Sequence, residues 1–230
     1  MVKLLLETSN IDPNQENKDW DTVLHTAARS GELVMVKLLL ETSNIDPNQT
    51  NKDGNTPFEI AAEKGRLKIA KLLLERTTID PKKVYKDGNT VLHKAARRGE
   101  LEKVKLLLET SNIDPNQENK DGNTVLHKAA RRGELKMVKL LLETSNIDPN
   151  QEDKNGDTPL YSAVRGKHLD IVQLLLERTD IDPNKDNRSN NTPLHYAVLN
   201  GHSDIVHLLL RRTDIDPNKV NKVWNFVLTR

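Results

Sequence analysis

The 230-residue chain has no cysteine, so disulfides and thiolate metal sites are closed to it. Aromatic side chains make up 3% of it and charged ones 30%. A conventional globule of this length carries more large rings in its core. Leu, Ile, Val and Ala suit thin layers stacked side by side. Neither sign of charge dominates: 35 Lys and Arg against 34 Asp and Glu give a formal net charge of +1. No whole-molecule field therefore draws it onto nucleic acid or a membrane. Long hydrophobic runs are missing too. MVKLLLETSN has one lysine and a short apolar stretch before Glu7, which makes neither a secretory signal nor a transmembrane span. The expectation is an intracellular protein with no membrane partner.

What the chain has is a period. Asn17, Asn51, Tyr85, Asn119, Asp153 and Asn187 open successive units, each 34 residues after the last. NKDGNTVLHKAARRGEL at 119–135 repeats 85–101 except at its first residue. A strict period in this range predicts a solenoid whose layers touch only their neighbours. Six full units are expected, at 17–50, 51–84, 85–118, 119–152, 153–186 and 187–220. Residues 1–16 read as the second helix and loop of a partial unit, identical to 137–152, and 221–230 as the start of a truncated one. Units five and six drift irregularly, so the expectation is a slice of a longer array or a truncated duplicate rather than an engineered consensus.

Each unit reads alike. Asp-Gly-Asn at 87–89 is a turn signal. Thr22, Thr56, Thr90, Thr124, Thr158 and Thr192 stand where a helix N-cap is needed. Pro57, Pro159 and Pro193 follow at the first helical position, where a missing N–H costs nothing. Leu92, Ala95 and Ala96 form an apolar stripe at helical spacing, and Gly99 ends that helix. A second helix is predicted to bury Leu101, Val104, Leu107 and Leu108. TSNIDPN closes the unit, with Asn112 suited to a left-handed residue and Asp114-Pro115 to a turn.

Thr192-Pro-Leu-His-Tyr-Ala197 matches the Thr-Pro-Leu-His-x-Ala signature of ankyrin repeats, and 22–25, 90–93 and 124–127 differ from it by one residue. The chain resembles the ankyrin repeat family along essentially its whole length. That resemblance implies an all-α solenoid of helix–turn–helix units with β-turn fingers, curved around a concave inner-helix groove. It departs in its 34-residue unit, against the usual 33, and in Glu59 and Tyr161, which replace the signature histidine. Lys167 stands where other units have glycine, which puts that turn in question. Trp20 and Trp224 occupy a turn-glycine position, where tryptophan tolerates positive φ poorly.

His25, His93, His127 and His195 recur in register. The resemblance implies a structural role, each bonding the backbone of the neighbouring turn. No second ligand follows at metal-binding spacing on the same helix. His168, His202 and His207 read as solvated or capping. No nucleophile set, phosphate loop or paired acids stand apart from the repeat. No catalytic residue, metal or cofactor is expected.

In ankyrin-like arrays the position after the histidine and the two before the glycine face the groove. Here these read Thr26, Arg29 and Ser30; Ile60, Glu63 and Lys64; Lys94, Arg97 and Arg98; Lys128, Arg131 and Arg132; Ser162 and Arg165; Tyr196, Leu199 and Asn200. The third and fourth sets form a basic patch, with Arg165, Tyr196 and Leu199 further along and Trp20 and Trp224 as finger-tip anchors. The expected function is a protein–protein interaction scaffold that takes an acidic segment of its partner. A solvated cationic face beside Glu100 and Glu134 is the plainer reading of the same residues. Two other functions stay open. An anionic-polymer binder fits less well, because the patch has no interleaved aromatics for stacking nucleic acid bases. A self-associating spacer would join apolar ends head to tail, weakly.

Overall fold

A computed structural model describes residues 12–41, 44–76, 84, 85, 87–110 and 113–219. Among these residues there are twelve helices and no strand. They run in pairs: α1 (Val23–Ser30) and α2 (Leu33–Leu40), α3 (Pro57–Glu63) and α4 (Leu67–Arg76), α5 (Val91–Arg97) and α6 (Leu101–Thr110). The series continues with α7 (Val125–Arg132) and α8 (Leu135–Leu142), α9 (Pro159–Gly166) and α10 (Leu169–Leu176), α11 (Pro193–Leu199) and α12 (Ser203–Leu210). The chain forms two compact units, one holding α1 to α4 with α6, the other α5 with α7 to α12. In the first, α1 packs on α2 and α3, and α3 on α4. In the second, α7 lies between α5 and α9, and α9 packs on α11, with α8, α10 and α12 layered behind.

The first helix of every pair starts on a threonine. Each threonine has extended backbone, and its hydroxyl accepts the N–H three residues on. Such a cap is worth about 1 kcal/mol. Pro57, Pro159 and Pro193 take the first helical turn as the sequence predicts. The stripe Leu92, Ala95 and Ala96 is fully buried, as is its counterpart Leu126, Ala129 and Ala130. Each leucine so buried contributes on the order of 2 kcal/mol, while the alanine pairs let neighbouring helices approach. The second helices begin differently. Glu32, Glu134, His168 and His202 give no side-chain cap. Instead their N–H groups return to Ala27, Ala129, Ala163 and Ala197 across a left-handed turn.

Two turns correct the sequence reading. Lys167 does adopt the left-handed conformation, with φ 60°, and Gly166 becomes the last residue of α9. The displaced glycine has a reason. A Cβ at residue 166 would stand 2.6 Å from the Arg131 carbonyl oxygen and 2.5 Å from the His168 ring. Only glycine lets that ring through, and the strained turn falls to the lysine. Trp20 likewise holds φ 59° at a finger turn, against the expectation that tryptophan avoids it. Trp224 and the stretches 1–11 and 221–230 lie outside the described residues. So does Asn112, whose counterparts Asn44 and Asn146 are left-handed at φ 72° and 66°.

Polar ladders join successive layers. Asn14 donates to the Asn44 carbonyl while its own oxygen accepts the Asp46 N–H. Asn116 does the same for Asn146 and Asp148, Asn150 for Asp180 and Asp182, and Asn184 for Asp214 and Asp216. In each case one amide side chain serves the peptide groups 30 and 32 residues ahead. Nearer the fingers, the Asn51 and Asn187 amides bond Asp21 and Asp157 of the preceding layer.

The buried face of α6 departs from expectation. Val104 and Leu107 are buried, but Leu101 and Leu108 are only half-buried, and Leu106 and Lys103 are enclosed instead. Lys103 is 3% exposed where Ile69, Met137, Ile171 and Ile205 fill the matching place.

Candidate functional site

The histidine ladder is part of the frame. His25 Nε2 lies 3.0 Å from the Asn55 carbonyl, and His93 and His127 Nε2 lie 2.9 Å from those of Asn123 and Asp157. Nδ1 of each accepts the N–H of its own threonine cap, at 3.1–3.3 Å. The tautomer follows: the proton sits on Nε2 and is donated to the next finger. Burial holds all four imidazoles, His195 included, below the usual histidine range, so they are neutral at pH 7. Glu59 substitutes for a histidine by accepting the Thr56 N–H at 2.8 Å. His168 is not merely solvated: its Nε2 reaches the Arg131 carbonyl at 3.0 Å. Among the described residues no three His, Cys, Asp or Glu converge as metal ligands.

The basic residues lie on α5 and α7, which pack side by side. Arg97, Arg98, Arg131 and Arg132 are exposed, and Lys94 and Lys128 half-buried. Arg132 Nη1 donates to the Arg97 carbonyl at 2.9 Å, which ties the two sets together. Lys94 Nζ stands 3.0 Å over the Tyr85 ring, and Arg98 lies 3.6 Å from Glu100. The Arg97 and Arg131 side chains close their helices at the C-terminal turn, where the macrodipole favours positive charge. Among the carboxylates near the six cations are Asp87, close to Lys94, with Glu100 and Glu134. Exposed pairs of this kind contribute about 0–1 kcal/mol each, so they orient the cations without cancelling the field. At the helical position of Lys94 and Lys128, Ile60 and Ser162 are buried.

Farther along, α9 and α11 bring together Tyr161, Arg165, Tyr196 and Leu199 with Lys154 and Arg188 from the fingers, around an open cavity of about 570 Å³. The tyrosine rings meet edge to face at 5.3 Å. Asp157 is buried and accepts from Arg165 at 3.3 Å and Asn187 at 2.8 Å. Burial still pushes its carboxyl above the usual range, and burial with the Asp157 charge pushes the Tyr161 phenol up to about 12. Sequence reasoning named Arg165, Tyr196 and Leu199. It missed Lys154 and Arg188, because fingers carry charge in every unit and only folding sets these two beside tyrosines. Trp20, on a finger of the first unit, is 53% exposed.

Stacked helix pairs 34 residues apart, capped by threonine and cross-linked by histidine, define a repeat protein. A family profile of ankyrin repeats matches residues 1–84, 78–153 and 144–221, and the chain belongs to the ankyrin repeat family. Proteins of this fold generally serve as protein–protein interaction modules and are typically non-catalytic scaffolds. The ankyrin repeat domain of Bcl-3, a member of the IkappaB family, is 29% identical, with a TM-score of 0.77 over 89% of this chain and 91% of that one. The ankyrin repeat protein EF0377 is also 29% identical, with a TM-score of 0.70 over 83% and 97%. An ankyrin repeat domain from Acinetobacter baumannii AYE is 26% identical, with a TM-score of 0.68 over 82% and 96%. None of the curated proteins compared matches the chain. Among the described residues no helix is long and apolar enough to cross a membrane.

Proposed function

We propose that this protein is a binding scaffold of six repeats, 17–220, that takes an acidic segment of a protein partner along Lys94, Arg97, Arg98, Lys128, Arg131, Arg132 and Arg165. The observation that carries this reading is the duplicated Lys-x-x-Arg-Arg set on two packed helices, with one residue of each set tied to the other through Arg132 and the Arg97 carbonyl. Within the first unit, the exposed Trp20 is a separate aromatic anchor of the kind that interface hot spots favour.

The test is affinity capture with the natural chain and with a variant reversing all six cations of α5 and α7. Binding of the captured partner should weaken mainly through its association rate and fall steeply with added salt. A partner whose affinity ignores both salt and charge reversal would reduce the patch to a solvated helix face.

A further inference from the structure

The cavity lined by α9, α11 and the two fingers has features the basic patch lacks. Its volume of about 570 Å³ falls within the range of pockets that enclose a small ligand or several side chains. Leu199 stands 65% exposed at its edge and Tyr196 is half-buried beside it. The Tyr196 ring is held edge to face by Tyr161, and again by His202 at 6.1 Å, and its carbonyl is held by the Asn200 amide at 2.9 Å. An apolar surface so braced is organised before any ligand arrives, which lowers the ordering cost of binding.

Charge is disposed around it with one sign in excess. Lys154, Arg165 and Arg188 line the cavity against a single carboxylate, Asp157. That carboxylate is already engaged by Arg165 and Asn187. Tyr161 takes the place of the signature histidine here, so the exchange that costs this layer its histidine bond is the one that builds the aromatic wall.

We infer that this cavity receives one aromatic side chain of the partner, flanked by carboxylates that meet Lys154 and Arg188. This rests on the acidic-partner reading above. The ring adds a third member to the Tyr161–Tyr196 pair at ordinary edge-to-face spacing, and its other side lies on Leu199. A polypeptide fits better than nucleic acid, because Tyr161 is enclosed and leaves one ring where stacked bases need a succession of them.

The experiment uses the full chain and three labelled eleven-residue peptides, read by fluorescence anisotropy at low salt. The first has a central Phe among Asp and Glu, the second has Ser for that Phe, and the third keeps Phe among Asn and Gln. The Phe peptide should bind about ten-fold more tightly than the Ser peptide, as a buried aromatic anchor does, and the uncharged peptide should bind least. Leu199→Glu, at an exposed position, and Tyr196→Ala should each erase the Phe-over-Ser preference. Arg188→Glu should weaken both acidic peptides. The six-fold reversal on α5 and α7 should weaken both acidic peptides while leaving their ratio intact. A Phe-to-Ser ratio of one in the natural chain, or one unchanged by Leu199→Glu, overturns the cavity while leaving the basic patch standing. A preserved ratio with no effect of the six-fold reversal overturns the patch and leaves the cavity. An oligothymidylate that displaces the Phe peptide assigns the cavity to nucleic acid and overturns the inference.

Discussion

Between pH 6.5 and 5 the protein is expected to lose stability steeply, in a window above the ordinary carboxylate range. His25, His93, His127 and His195 all titrate below the usual histidine value because burial disfavours the imidazolium. In this window the unfolded chain therefore binds more protons than the folded one. Stability is complete above the unfolded histidine pKa and falls as pH drops toward the depressed folded values. Each histidine protonated only in the unfolded chain contributes at most about 1.4 kcal/mol per pH unit to the slope. The fully buried His25, His93 and His127 together thus give up to about 4 kcal/mol per unit, and the half-buried His195 adds less. Geometry enforces the effect, since an imidazolium would have to turn an Nδ1–H toward the threonine N–H that Nδ1 now accepts. Urea midpoints across this range measure it, and His127→Ala should flatten the slope while lowering stability at pH 7 by about 1–3 kcal/mol. A midpoint that holds steady from pH 7 to 5 would mean that the ladder opens to solvent at little cost.

Gly122→Ala is expected to be far more damaging than Gly201→Ala, although both residues have positive φ, 78° and 64°. At 122 a Cβ would meet the Lys154 backbone nitrogen at 2.5 Å and Asp153 backbone atoms at 3.0–3.1 Å, whereas at 201, among the described residues, it meets nothing within 4 Å. The first site combines left-handed strain with a collision against the backbone of the next finger; the second has the strain alone. The expected losses are about 3 kcal/mol and about 1 kcal/mol. Thermal melts of the two variants give the comparison. Equal losses would show that the next finger yields freely, and that Gly122 answers only to φ.

The contrast marks where the sequence could be read and where it could not. The threonine caps, the Pro at the first helical position and the Leu/Ala stripe are local signals, and each is found where spacing puts it. Glycine's steric need at 166 looks misplaced in the sequence because its cause is the His168 ring, which reaches a carbonyl 37 residues before it. Trp20 defies its own preference since the finger's hydrogen bonds hold the turn whatever residue fills it. Ser162 and Ile60 hold the position of Lys94 and Lys128 yet are buried, because the exposure of a short or apolar side chain there depends on what the adjacent helix presents. The cavity at Tyr161 and Tyr196 was half legible: the aromatic residues stand out of the repeat, while Lys154 and Arg188 look like any other finger charge until they are folded beside it.

The asparagine rungs in the loops have a consequence for how such a chain can change. The side-chain amides of Asn14, Asn116, Asn150 and Asn184 bond peptide groups of the following layer. These rungs are thus indifferent to which side chains their neighbour carries. A whole layer can be copied next to its original, as the near-duplicate text of 85–101 and 119–135 suggests, and these rungs need no refitting. One residue added or lost between rungs is another matter, since the amide would then address the wrong peptide at both its ends. Lengthening by complete layers is permitted, lengthening by single residues is penalised, and the outward face of each new copy is left at liberty to diverge.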